Sequence, residues 1–170
     1  MGEILRGAVN SWFEAMSGFT TTGSTVIDHK MSPNCVIGVT SDCINSQPRG
    51  ILLWRSLTQW LGGMGIIMLG MLLLSRILGG GMALARAELT GPSLSRLRPR
   101  VQQTALALWS VYFFLTLAEI LLLIFLGDMG IFDAVNHGFT TMASGGFSTH
   151  DESIGYFESA VVETIIIVFM

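Results

Sequence analysis

The sequence has few charged residues, since Asp, Glu, Lys and Arg together make up only 12% of its 170 positions. Soluble domains carry about 25% charged residues. Hydrophobic residues account for 51% of the chain, so the composition excludes an ordinary soluble domain and indicates a membrane protein. Long basic runs and basic patches interleaved with aromatic residues are also absent, which argues against a nucleic-acid partner.

Cysteine is scarce as well, with Cys35 and Cys43 as the two thiols of the chain. Two cysteines alone do not indicate a metal centre. In an oxidising compartment they could form a disulfide, and two free thiols are equally compatible with the sequence. Residues 1–19 lack the basic segment, clean apolar run and cleavage site of a secretory signal peptide.

Hydrophobic segments of two lengths are present. Residues 51–78 and 101–127 are long enough to be spanning helices, because about 20 apolar residues cross a bilayer. Residues 3–18 and 131–143 are predicted to form helices too short to cross, which is typical of buried or re-entrant segments. A further apolar helix is predicted over residues 156–170.

The connector at residues 79–100 is rich in glycine and arginine. Together with Arg76 it contains five arginines but only one acid, Glu88. By the positive-inside rule this connector faces the cytoplasm. The loop at residues 26–50 then lies on the outer side of the membrane.

A polar motif occurs twice, each time after one of the short helices. "GFTTTGST" covers residues 18–25, and "GFTTMASGGFST" covers residues 138–149. We call residues 19–25 the first tract and residues 144–149 the second tract. The repeating unit is a spanning helix, a short re-entrant helix, a tract and a second spanning helix. Because the first copy lacks its opening helix and the second most of its closing one, we expect the chain to be a fragment of a longer protein.

The two tracts have the chemistry of a cation pore. Irregular backbone at membrane depth is tolerated only where protein buries it or where it lines a watery cavity. Backbone carbonyls and hydroxyl groups can replace the water shell of a cation, and the negative end of each short helix favours a cation over an anion. Oxygen ligands without carboxylates suit a monovalent ion better than calcium or magnesium.

Acidic residues in the outer loops have two interpretations. They could raise the local concentration of cations at the mouth of a pore, or they could simply solvate these loops. The residues concerned are Asp28, Asp42, Asp128, Asp133, Asp151 and Glu152.

Three further polar sites occur in or next to the hydrophobic segments. Glu119 lies inside a hydrophobic segment, where an acid has either a functional or a structural hydrogen-bonding role. Gln59 could brace a tract from behind or bond to a neighbouring helix. The run His150-Asp151-Glu152 lies near Ser148, but no pattern establishes a nucleophile with its base, so we predict that the chain is not an enzyme.

Four motifs give the chain a strong resemblance to a known family. They are "FEAMSGFTTTGST", "LTQWLGGMGI", "GGMALARAELTGP" and "GGFSTHDESIGYF". They resemble the membrane subunit of Trk-type potassium uptake systems, in the TrkH branch of the TrkH/KtrB/HKT superfamily. The resemblance implies an all-α membrane protein of the bacterial inner membrane, with four repeats around a pore. Each repeat has a re-entrant pore helix and a filter loop between transmembrane helices, and no cofactor is implied besides the transported potassium ion.

The resemblance also implies which residues bind the ion. Gly23 is the filter glycine of the first repeat, and Gly146 is preferred over Gly145 in the second because "TTGST" aligns with "GGFST". The potassium-binding filter residues are then Thr21, Thr22, Gly23, Ser144, Gly145 and Gly146.

Two partners follow from the resemblance. One is a TrkA-like cytoplasmic nucleotide-binding regulatory subunit, and the other is a second copy in a homodimer. The connector arginines could lie near the regulatory subunit, although the positive-inside rule alone explains them. These residues are Arg86, Arg96, Arg98 and Arg100.

The expected organisation is a first repeat at residues 1–78, the connector at 79–100 and a second repeat at 101–170. Because two of four filter strands cannot enclose an ion, the chain by itself should not conduct. The alternative function is a non-transporting membrane scaffold that keeps the fold as an interaction module. Channel-like flow and proton- or sodium-coupled symport both remain open.

Overall fold

The structure, a computed structural model, describes residues 2–27, 35, 41–87 and 97–170. This part of the chain is helical and contains no β-strand. Its five α-helices are α1 (Gly2–Phe19), α2 (Arg49–Ala87), α3 (Leu97–Phe125), α4 (Ile131–Met142) and α5 (Ala160–Phe169). A short 3₁₀ helix, Ser153–Phe157, precedes α5.

Several predictions concern residues outside the described ones. They include Asp28 with the rest of residues 28–34 and 36–40 of the outer loop, and residues 88–96 of the connector with Glu88 and Arg96. The side chains of Arg76, Arg86, Arg98 and Arg100 also lie outside the described part.

Helix α3 contains the clearest membrane-crossing segment. Gln103–Phe125 is the one helix among the described residues that is long and apolar enough to cross a bilayer. Large apolar side chains such as Phe113, Phe114 and Phe125 are exposed on its surface. An exposed apolar surface of this kind suits contact with lipid or with further helices.

The short helices α1 and α4 pack against the longer ones. Helix α1 contacts α2, and α4 contacts both α2 and α3. Small residues permit these close approaches: a Cβ on Gly138 of α4 would contact Ile120 of α3, and a Cβ on Gly62 of α2 would overlap the Phe19 carbonyl. Glycine at such positions allows two helix backbones to approach closely.

Two apolar clusters hold α4 against the helices around it. In the first, Leu123 of α3 packs with Ala134 of α4 and Val162 of α5. In the second, Trp60 of α2 contacts three aromatic rings of α3 and α4 at centroid distances of 5.3–5.7 Å. These rings are Trp109, Tyr112 and Phe139. Helix α4 is therefore fixed between its neighbours.

The helix boundaries around the connector differ from the prediction. The spanning segment was expected to end at residue 78, but α2 continues to Ala87, and α3 begins at Leu97 rather than at 101. The two long helices therefore extend into the predicted connector from both ends. Glycine in a helix costs about 1 kcal/mol relative to alanine, and the alanine-rich "MALARA" that follows the three glycines consists mainly of strong helix formers.

The last helix also begins later than expected. Residues 156–170 were predicted to form one helix, but α5 starts at Ala160, after the 3₁₀ helix. Ser159 precedes α5, and its side chain accepts a hydrogen bond from the Val162 amide at 3.4 Å. A serine at this position satisfies a free amide of the first turn and sets the start of the helix.

Candidate functional site

The first tract begins with a left-handed helix cap. Thr21 has φ 53°, and its amide donates to the Gly18 carbonyl at 3.0 Å, while the Thr22 amide donates to the Ser17 carbonyl at 3.0 Å. This pair of bonds around a left-handed residue is the Schellman motif. It ends α1 and turns the chain into an extended segment.

The second tract begins with the same cap. Ser144 has φ 49°, and its amide donates to the Thr141 carbonyl at 2.7 Å, while the Gly145 amide donates to the Thr140 carbonyl at 2.9 Å. The donors and acceptors have the same spacing as in the first tract. Both short helices therefore end by one local mechanism.

Each tract has a glycine two residues after its left-handed cap. Gly23 has φ 75°, and Gly146 has φ 81°. The left-handed region favours glycine because it has no Cβ. The backbone thus pairs Gly23 with Gly146, and not with Gly145.

The repeated letters "GFTT" do not occupy equivalent positions. Phe19 is the last residue of α1, whereas Phe139 lies inside α4, three residues before its end at Met142. The hydrogen-bond pattern instead pairs Gly18 with Thr141. The match of these letters is therefore out of register by about one helical turn. The alignment of "TTGST" with "GGFST" is also out of register, by one residue, because it places Gly23 opposite Phe147, whereas the backbone pairs Gly23 with Gly146.

The two tracts lie directly against each other. A Cβ on Gly23 would overlap the carbonyl oxygen of Gly145, whereas a Cβ on Gly146 would meet nothing within 4 Å. Gly23 is therefore a point of backbone-to-backbone contact, and Gly146 borders open space.

Side chains of α1 hold the first tract. Ser17 Oγ donates to the Ser24 carbonyl at 2.6 Å. The Glu14 carboxylate accepts bonds from the Val26 amide at 2.6 Å and from the Thr25 hydroxyl. The end of the first tract is thus tied back to the helix that precedes it.

Arg55 of α2 connects the two tracts. Its Nε lies 3.1 Å from Glu14 Oε2, and its guanidinium carbon lies 4.1 Å from the centre of the Phe147 ring. The side chain is nearly buried, as expected for a charge that is paired with a carboxylate and stacked on an aromatic face. Glu14 holds the first tract and Phe147 belongs to the second, so one arginine supports both.

Gln59, one turn after Arg55, bonds to the backbone of the second tract. Its Nε2 donates to the Gly145 carbonyl at 3.0 Å, and its Oε1 accepts from the Phe147 amide at 3.2 Å. The side chain is fully buried. The sequence allowed two roles for Gln59. In the structure its side chain braces the second tract from behind. Gly145, predicted as an ion ligand, directs its carbonyl at this amide.

The segment after the second tract is clamped to the outer loop. His150 Nδ1 lies 2.7 Å from Asp42 Oδ2. The Asp151 carboxylate accepts from the amides of Cys43 at 2.7 Å and Ile44 at 2.9 Å. These residues have structural partners in the described part of the chain.

A disulfide lies next to this clamp. The structure pairs Cys35 with Cys43, with 5.1 Å between their Cα atoms.

The His150 ring is stacked on Tyr156 with 3.6 Å between centroids, and Asp133 accepts a bond from Thr149 Oγ1 at 2.7 Å. Several of the outer acids therefore bond to protein groups.

His137 of α4 occupies the position that Glu14 has in α1. Its Nε2 lies 3.5 Å from Ser148 Oγ, just as Glu14 bonds to Thr25 at the equivalent point of the first tract. Burial lowers the pKa of His137 to about 4, against a smaller raising effect of Asp133. The imidazole is thus neutral near pH 7.

Sequence reasoning missed Glu14, Arg55 and His137 as supports of the tracts. One signal was available, because a charged residue within an apolar helical segment is rarely buried without a partner. Glu119 was noted on that ground, and the structure buries it fully within α3. Among the described residues, no three His, Cys, Asp or Glu side chains are grouped to hold a metal ion.

Comparison with known sequences gives a consistent group of relatives. The TrkH family, described as cation transport protein, matches residues 6–170. The Trk system potassium uptake protein TrkH of Escherichia coli K12 is 46% identical over 162 residues, which are 95% of this chain and 30% of that protein. The Escherichia coli K12 protein TrkG is 39% identical over 158 residues, or 92% of this chain and 30% of that protein.

Comparison with solved structures agrees. The crystal structure of the potassium transporter TrkH from Vibrio parahaemolyticus matches with a TM-score of 0.68 and 38% identity, over 94% of this chain and 28% of that one. The prediction of a helical membrane protein is confirmed at this level. These relatives are named as transport proteins and not as enzymes. The chain spans about 30% of the length of the curated relatives it matches.

Proposed function

The chain belongs to the TrkH family of cation transport proteins, and on this premise we propose that it forms part of a potassium uptake protein. The relatives at 46% and 39% identity are named as potassium uptake proteins. Because the chain spans about 30% of their length, its contribution is one part of an ion pathway in the membrane. The transported potassium ion is its substrate.

We propose that the two tracts are two strands of a selectivity filter. The observation that carries this proposal is their matched backbone, with a left-handed cap at Thr21 and Ser144 and a positive φ two residues later at Gly23 and Gly146. A filter needs such repeated geometry, because carbonyl groups from several strands must surround one ion.

The charge distribution of the short helices supports a cation as the ligand. The carboxyl ends of α1 and α4 lead directly into the tracts. The carboxyl end of a helix carries a partial negative charge of about −0.5. The predicted ligands add hydroxyl and carbonyl oxygens from Thr21, Thr22 and Ser144 without a carboxylate, which suits a monovalent cation.

The proposed architecture is two of four membrane-pore-membrane repeats, residues 1–78 and 101–170. In it α1 and α4 are re-entrant pore helices, and α2, α3 and α5 belong to the transmembrane layer. The tracts face outwards from a bacterial inner membrane, and the arginine-rich connector faces the cytoplasm. A TrkA-like regulatory subunit on the cytoplasmic side and a homodimer complete the proposed assembly.

Glycine substitutions test the filter. In the full-length gene, Gly23→Ser and Gly146→Ser are expressed in a host without its own potassium uptake systems. We expect lower potassium-to-sodium uptake ratios for both, because each side chain must adopt a left-handed φ. The loss should be larger for Gly23→Ser, whose Cβ overlaps the Gly145 carbonyl, than for Gly146→Ser, whose Cβ meets open space.

The matched control is Gly155→Ser, since a Cβ there also meets nothing within 4 Å and the glycine has no positive φ. It should retain the selectivity of the unmodified protein. If Gly23→Ser and Gly146→Ser were as selective as Gly155→Ser and the unmodified protein, the assignment of the tracts to a filter would be refuted. A full-length protein that reaches the membrane without any potassium flux would instead support the scaffold function.

A further inference from the structure

We propose that Gln59 is a positioning residue that sets the orientation of the Gly146 carbonyl and thereby the ion selectivity of the second tract. The inference rests on the proposed filter function. It concerns a side chain of α2, outside both tracts, that has no place in the predicted set of ion-binding residues.

The two bonds of Gln59 fix the peptide planes on both sides of Gly146. The Gly145 carbonyl belongs to the plane before Gly146, and the Phe147 amide belongs to the plane after it. Gln59 Nε2 bonds to the first at 3.0 Å, and Gln59 Oε1 accepts from the second at 3.2 Å. Both rotatable bonds of a glycine, which has no side chain to limit them, are thus constrained by one amide.

The direction of the Gly146 carbonyl follows from this geometry. No peptide bond among the described residues is cis, and in a trans peptide the carbonyl and the amide hydrogen point in opposite directions. Because the Phe147 amide points at Gln59, the Gly146 carbonyl points away from it. Gln59 therefore holds the Gly145 carbonyl towards α2 and directs the Gly146 carbonyl the other way.

The surroundings leave the Gln59 amide little freedom. The side chain is fully buried, and a Cβ on Gly145 would contact its amide atoms, so the absence of that Cβ creates the space it fills. Arg55 lies on the Phe147 ring one turn earlier. A neutral amide is suited to this position, because it offers a donor and an acceptor together.

The first tract is held by a different device. Ser24, which precedes Thr25 as Phe147 precedes Ser148, has its carbonyl bonded by Ser17 Oγ at 2.6 Å. This hydroxyl comes from the short helix of the same repeat, whereas Gln59 comes from the spanning helix α2. A change at Gln59 therefore acts directly on the second tract.

Two substitutions in the full-length protein test the proposal. Gln59→Leu keeps a similar volume and removes both bonds. We expect the potassium-to-sodium uptake ratio to fall about tenfold, because the Gly146 carbonyl is no longer held in one orientation; this change corresponds to about 1.4 kcal/mol. The amount of each variant in the membrane is measured as well, so that a loss of selectivity can be distinguished from a lower amount of protein. The control is Ser56→Ala, which removes a buried bond of 3.2 Å within α2 and should keep the ratio within about twofold.

Gln59→Glu supplies a readout that a purely structural role would not change. A protonated carboxyl group can donate to the Gly145 carbonyl and accept from the Phe147 amide, but an ionised one cannot donate. We expect its uptake ratio to approach that of the unmodified protein in acidic medium. In alkaline medium, the uptake ratio of Gln59→Glu should fall below that of the unmodified protein measured at the same pH.

The inference fails if Gln59→Leu reaches the membrane in normal amount with an unchanged ratio. If Gln59→Leu does not accumulate, a pH-independent and unchanged ratio for Gln59→Glu overturns it. If Gly23→Ser and Gly146→Ser also leave the uptake ratio unchanged, the assignment of the two tracts to a selectivity filter is wrong. Altered selectivity in those glycine variants with normal selectivity at Gln59 refutes only the role of Gln59.

Discussion

At the scale of residues, the tracts depend on left-handed backbone conformations, and only some of these can be predicted from the residue type. Glycine permits a positive φ, so Gly23 and Gly146 could be selected as special positions. Thr21 and Ser144 could not, because the left-handed region costs a non-glycine residue about 1–2 kcal/mol. Their conformation is maintained by the two Schellman bonds of each cap, a pattern that the letters do not reveal.

His137 gives a prediction of pH dependence. Its pKa is lowered from 6.5 to about 4 in the folded protein, so the unfolded chain binds this proton between those values and the folded chain does not. Stability contributed by the neutral imidazole is therefore complete above about pH 6.5 and decreases as the pH falls towards 4, by up to a few kcal/mol. Thermal unfolding of the purified full-length protein at a series of pH values measures this loss.

The matched variant is His137→Gln, which keeps a polar side chain near Ser148 but does not titrate. It should lose less stability than the unmodified protein over the same acidic range. Parallel decreases for the two proteins would show that His137 does not contribute to the acid sensitivity.

At the scale of elements, the hydrophobic pattern predicts that α2 and α3 are helices but not which faces they bury. Both are apolar on all sides, so helical periodicity points to no single face. The partners of α2 lie far along the chain: Arg55 pairs with Glu14, and Gln59 bonds to Gly145 and Phe147. Contacts across such distances depend on the packing of α1 and α4, which the segment lengths alone do not determine.

The clamp between the outer loop and the second tract leads to a prediction for Asp42. Its carboxylate bonds to His150 Nδ1 at 2.7 Å and accepts from the amides of Asn45 at 2.9 Å and Asp151 at 3.2 Å. Asp42→Ala leaves these groups without that partner. We expect a loss of about 1–3 kcal/mol, reduced where water can reach them. Thermal unfolding of the full-length protein, with potassium-to-sodium uptake as a second measurement, tests this.

Glu152→Ala is the corresponding control, because this acid is exposed and follows the clamp directly. Its unfolding temperature should stay close to that of the unmodified protein. An Asp42→Ala protein as stable as the Glu152→Ala protein would mean that the clamp does not stabilise the fold.

At the scale of the whole molecule, the sequence predicts a duplicated unit, but it does not predict the contact between the two tracts. The order of long helices, short helices and polar tracts suggested two repeats. Their backbones meet where Gly23 approaches the Gly145 carbonyl, and different side chains support them. A chain that spans about 30% of its relatives forms only part of the proposed ring of strands, so the complete pathway depends on the whole protein.

The orientation of the whole molecule in the membrane is the last prediction. In a full-length protein with Cys35→Ser and Cys43→Ser, single cysteines are introduced as Asn45→Cys in the outer loop or Ser93→Cys in the connector. Asn45 is exposed in the structure, and the connector carries the arginine excess that favours the cytoplasmic side. A membrane-impermeant maleimide should label Asn45→Cys in intact cells and Ser93→Cys only after permeabilisation. Labelling of Ser93→Cys alone in intact cells would reverse the orientation and place both tracts on the cytoplasmic side, where they could not be the outer entrance of an uptake pathway.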